Sequence, residues 1–142
     1  MTDHRSEPTI APGLMQHAHW LLRVALASVF LFHGTDKFMG GGIAGFAQAM
    51  DLPVAIALLV AVGELGAGVF ILLGGVIAGL LGAVITRLGA FGMIVILLGA
   101  IFMAHWGQWH FMATATHPMG GMQFQVTLAM MSAYLMIKGN RA

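Results

Sequence analysis

Cysteine is absent from the 142-residue chain and charge is scarce, at six Lys and Arg and five Asp and Glu, or 8%. Without thiols there is no disulfide, no thiolate nucleophile and no Cys-ligated zinc or iron–sulfur cluster. A water-soluble domain carries roughly a quarter charged residues, so this surface is not built for water. The basic residues lie far apart and the formal net charge is +1, which leaves no electrostatic footprint for DNA or RNA. Also missing are a phosphate loop, a dinucleotide fingerprint and a nucleophile elbow. No inverted repeat of the secondary-transporter kind is visible. What is present is apolar: hydrophobic residues make up 59%, with 20 Gly and 12 Met, and mean hydropathy is +0.91. Lipid is the expected solvent for most of this surface, and the glycines read as close helix packing.

The apolar map predicts an all-α integral membrane protein, a four-helix bundle with both termini in the cytoplasm. Residues 1–17 read as an uncleaved cytoplasmic tail, because too short an apolar run precedes Arg23 for a signal peptide. A crossing needs about 20 residues, and the predicted spans are about 18–38, 54–78, 83–104 and 122–137. Between Pro53 and His105 the only charges are Glu64 and Arg87. One helix of that length would run about 75 Å, so two crossings are expected, turning between Gly79 and Gly82. Ile43 to Asp51 reads as a short interfacial segment, and Pro53 as a helix start. Small residues four apart, Gly75 with Gly79 and Gly63 with Ala67, suit close helix contact. Trp106 and Trp109 read as interface anchors. Arg5, Arg23, Arg87, Lys138 and Arg141 then fall on one side and Lys37 on the other, which sets the orientation.

Ionisable groups in hydrocarbon are costly and point to function. Glu64 lies near the midplane of the second span. His33 and Lys37 share a face of the first, and Arg23 lies on roughly the same stripe nearer its inner end. A buried carboxylate must pair or take up a proton. Two readings stay open: a polar pocket in which Glu64 and His33 exchange protons with a bound redox ligand, or an ion pair that fixes helix register. Asp36 reads as a solvated partner of Lys37. Arg87 could bind an anionic group or simply set topology. His105, His110 and His117, with Met residues nearby, are weak candidates for a soft metal, but their spacing matches no compact motif. His4, His17 and His19 fall on the other side of the membrane and cannot join them.

Several stretches together resemble the DoxX family of small four-helix membrane proteins. They are Phe32-His33-Gly34-Thr35-Asp36-Lys37-Phe38, Gly45-Phe46, Leu52-Pro53, Gly63-Glu64-Leu65-Gly66-Ala67-Gly68, Thr86-Arg87, His105 and Gly120-Gly121. The resemblance covers about Leu21 to Ile137. It implies association with membrane oxidoreductase systems, since some relatives are subunits of a thiosulfate:quinone oxidoreductase. One departure bears on activity: after the Gly-Gly step relatives often carry an aromatic residue and a Glu, where this chain has Met122 and Gln123. The expected site is therefore Glu64 and His33 as proton-exchanging groups, with Lys37, Arg23, Arg87 and Gln123 as ligand-binding residues, no committed metal, and quinone as the candidate cofactor. The expected setting is multi-pass in the cell inner membrane, in contact with the lipid bilayer and other membrane subunits. The alternatives are a non-catalytic subunit docked to a larger complex, or a small-solute carrier. Whether the chain catalyses a reaction by itself stays open.

Overall fold

The computed structural model describes residues 17–140; the predicted tail before His17, with Arg5, and Arg141 lie outside them. The described residues are all-α. Helix α1 spans His19–Asp36 and α2 Gly42–Ala49. Helix α3 spans Val54–Val76, and α4 Gly79–Ala100 continues into one π-helical turn, Ile101–His105. After a loop, α5 spans Gln123–Lys138. Two of these, Val54–Val76 and Gly79–His105, are long and apolar enough to cross a membrane.

Local sequence explains the breaks. Pro53 stands at the N-cap of α3, where its missing amide proton costs nothing. The connection between α3 and α4 is only Ile77 and Ala78, so α4 begins at Gly79 and not at Ala83 as expected. Gly79 takes φ +74° there, a conformation open to glycine without strain. That turn also separates Gly75 from Gly79, which lie on different helices and form no common packing face. Gly63 and Ala67 do share the α3 face toward α4: Ala67 is buried, and a Cβ on Gly63 would sit 3.3 Å from Ile96.

Helices α3 and α4 form the central antiparallel pair, with α1 packed on α3, α5 on α4 and the short α2 on α3. The core holds Leu26, Phe30, Ile71, Met93, Leu97, Leu128 and Leu135. Glycine sets the helix spacing. A Cβ on Gly74 would lie 2.7 Å from the Thr86 nitrogen, and one on Gly89 would lie 2.9 Å from Phe70 Cβ. Large apolar side chains such as Leu21, Val76, Leu80 and Leu81 stay exposed on the outer faces. Three hydroxyls within the helices close on their own helix's carbonyls: Ser28 on Ala25, Thr127 on Gln123, and Ser132 on Leu128 at 2.8 Å. Both habits suit a hydrocarbon solvent, which rewards apolar surface and offers no water to spare polar groups.

Candidate functional site

The α1 helix ends halfway along α3. Gly34 allows the close approach, since a Cβ there would meet Leu65 at 2.9 Å. Beyond that level α2 takes over beside α3, and a cavity of about 670 Å³ opens between the helices. Its walls are almost wholly apolar: Val29 and Phe30 from α1, Phe46 from α2, Leu59 and Val60 from α3, and Phe91, Val95 and Ile96 from α4. The polar groups on it are few: His33, Lys37, Glu64, His105 and Gln125.

Lys37 and Glu64 form the centre of that set. Lys37 Nζ donates to Glu64 Oε2 at 2.6 Å, with side chains 13% and 10% exposed. The ammonium also donates to the His33 carbonyl at 3.3 Å and lies 4.8 Å from the Phe46 ring centroid, a cation–π distance. Glu64 thus faces the interior with a partner from the first helix, as a carboxylate in hydrocarbon requires. The partner is not Arg23. Asp36 is not the partner of Lys37 either: it stays exposed, because one residue along a helix turns the side chain by about 100°. The His33 imidazole is largely exposed, meets Phe32 edge-on at 5.5 Å and lines the cavity beside the pair.

At the other end of the bundle Arg23 is fully buried. It donates to the Ile71 carbonyl at 2.7 Å, Thr86 Oγ1 at 3.0 Å, the Gly139 carbonyl at 3.3 Å and Asn140 Oδ1 at 2.8 Å. Thr86 also donates to Asn140 Oδ1, and the Asn140 amide donates to the carbonyls of Gly74 and Ile77. No carboxylate joins this cluster among the described residues. The cation sits instead at the C-terminal ends of α3 and α5, where carbonyl dipoles concentrate negative potential. Arg23 is therefore apart from the cavity. So is Arg87, which is exposed and lies against Gly139.

The loop after α4 separates its histidines. His105, buried on the π-helical turn, bonds through Nδ1 to the Gly120 carbonyl and through Nε2 to Gln125, both at 2.8 Å. His117 Nε2 meets the Trp106 carbonyl at 2.7 Å, while His110 is exposed beside Gln108. Among the described residues no three His, Asp or Glu side chains converge as metal ligands. Gln108 organises the loop: its amide donates to the His110 and Met112 carbonyls, and its oxygen accepts from Thr114.

Gln123 does not reach the cavity; its backbone amide bonds to the Trp109 carbonyl and its carbonyl accepts from Thr127. Gln125 lines the cavity in its place, two residues and about 200° further round the helix. Sequence reasoning missed Gln125, Gln108 and Asn140. A side-chain amide within an apolar span was the available signal for Gln125, shared with Gln123 two residues earlier. Asn140 sits past a helix end and gave none.

The DoxX family model matches residues 18–106. The matched stretch contains His33, Lys37, Glu64 and His105. No curated protein matches the chain, and no solved structure does.

Proposed function

Because the chain belongs to the DoxX family of membrane proteins, we propose that it is a multi-pass subunit of a quinone-linked or related redox system in the cell inner membrane. The cavity beside Lys37 and Glu64 takes the ring of its small redox ligand. Helices α1, α3, α4 and α5 cross the bilayer, with both termini cytoplasmic and α2 and the loop of Trp109 on the outer side. In support, Arg23, Arg87 and Lys138 lie toward one end of the bundle and Lys37 toward the other, the asymmetry that sets orientation. The 18 residues of α1 and 16 of α5 give about 27 and 24 Å. Local thinning and snorkelling ends accommodate that shortfall.

The observation that carries the reading is an ion pair on the wall of an apolar cavity between the helices, open at the side where Leu59, Phe91 and Val95 are more than half exposed. Ligand sites run about 300–1,000 Å³, mostly apolar with a few placed polar groups; this cavity holds about 670 Å³ with that kind of lining. A quinone supplies a two-electron, two-proton couple when bound. The apolar walls hold and desolvate the ring. Glu64 and His33 take up and return protons at a carboxylate oxygen and a ring nitrogen. The Lys37 ammonium favours negative charge developing nearby.

Purification in mild detergent followed by mass spectrometry should find quinone and partner polypeptides with the protein. Glu64→Gln and His33→Gln should still insert and assemble, yet lose most ligand-linked activity per assembled complex. Full activity per complex in both variants would defeat the redox-site reading and favour a docking subunit. Solute flux into liposomes holding the protein alone would favour a carrier.

A further inference from the structure

The polar group at the far wall of the cavity fixes its own proton positions. A carbonyl can only accept, so the bond from His105 to Gly120 places the imidazole proton on Nδ1. Nε2 of the neutral ring is then a bare acceptor. The Gln125 amide, 2.8 Å from it, must offer its NH2 group. The reversed amide would set two acceptors against each other, and so would the other ring tautomer against Gly120. Gln125 Oε1 is therefore the end left over, and among the described residues it is buried without a hydrogen-bond partner. The other side chains that α4 and α5 place on the cavity are apolar apart from His105, so the wall supplies no side-chain donor for it. A buried acceptor of this kind is costly until a donor arrives.

We infer that Gln125 is a specificity-determining residue that selects ligands carrying a hydroxyl hydrogen. The class is a quinol or phenol, in preference to a quinone, whose oxygens can only accept. The inference rests on the redox-ligand cavity proposed above and deepens it. Oε1 has almost no accessible surface in the empty cavity, so the ligand O–H reaches it as the side chains covering it shift aside, and the apolar walls flank the ring. A quinone oxygen in the same place would face an acceptor and leave both unpaired. Hydrogen-bonding sites reject analogues lacking the bonded hydrogen for this reason.

The test is equilibrium dialysis of detergent-solubilised protein, with protein-free micelles as blank. The probes are tetramethylhydroquinone under anaerobic conditions, tetramethylquinone, and the redox-inert pair tetramethylphenol and its methyl ether. The phenol should bind roughly tenfold tighter than its ether, and the quinol roughly tenfold tighter than the quinone, as a hydrogen bond to a buried group implies. In Gln125→Leu both ratios should fall to about one, while ether affinity, which reports an intact cavity, changes less than about twofold. Phenol and ether binding equally to the unaltered protein overturns the inference whatever the variant does. Equal quinol and quinone affinity overturns it too, with the redox reading intact. Phenol preference that depends on Gln125, with no binding of quinol or quinone, supports the role of Gln125 and overturns the redox reading. No binding of any probe overturns both.

Discussion

The two ends of the bundle each bury a cation, and they neutralise it differently. Arg23 is held by carbonyls, a hydroxyl and an amide, with helix ends supplying the negative potential. None of those acceptors titrates, and the helices are tight there, with Gly74 leaving no room for a Cβ beside Thr86. Lys37 is held by a carboxylate, which can give or take a proton, and an open cavity adjoins the pair. The contrast separates a structural clasp from a place suited to chemistry. A permanently charged guanidinium with a rigid fork of donors suits the first task, and an ammonium with a titratable partner suits the second.

The largest effect should come from breaking the clasp. Arg23→Met removes four hydrogen bonds. At about 0.6–1.7 kcal/mol per bond in a bilayer, an SDS-unfolding titration should show a loss on the order of 2–7 kcal/mol. Arg23→Lys should rescue little of it, because an ammonium cannot reproduce the fork. Substantial rescue by Lys would mean that charge alone is needed there.

Lys37→Met should cost less, roughly 2–3 kcal/mol, by leaving the Glu64 carboxylate facing an apolar cavity. Lys37→Met combined with Glu64→Leu should recover most of that loss, because two apolar groups can replace a buried pair at little cost. A double-mutant cycle with no coupling would show that the pair contributes nothing to the fold.

Glycine packing can be graded along the α3–α4 contact. Gly74→Ala forces Cβ against the Thr86 backbone and should cost about 1–3 kcal/mol. Gly99→Ala, with nothing among the described residues within 4 Å of its Cβ, should be neutral or slightly stabilising by up to about 1 kcal/mol. Equal effects would remove the tight-end and open-end distinction. The smallest change is expected from His110→Ala. Its side chain is exposed and its hydrogen bond to Gln108 is 3.5 Å long, so stability should move by less than about 0.5 kcal/mol.

The amino-acid pattern alone determined that the chain is helical and lipid-solvated. Apolar run length against bilayer thickness and the scarcity of charge are both one-dimensional facts. It also determined that Glu64 must face inward and find a partner, since hydrocarbon offers no other solvation. Only the tertiary structure decided which partner. Lys37, His33 and Arg23 were all within plausible reach on one stripe of α1, and the depth at which α1 ends beside α3 selected Lys37. It also decided that Gln125 and not Gln123 meets the cavity, because the rotation of α5 about its own axis is set by packing against α4 and not by sequence spacing. The histidines 105, 110 and 117 stay apart for a related reason. Their loop is shaped by carbonyls captured by Gln108 and by His117 itself, and such irregular backbone leaves no periodic trace in the sequence.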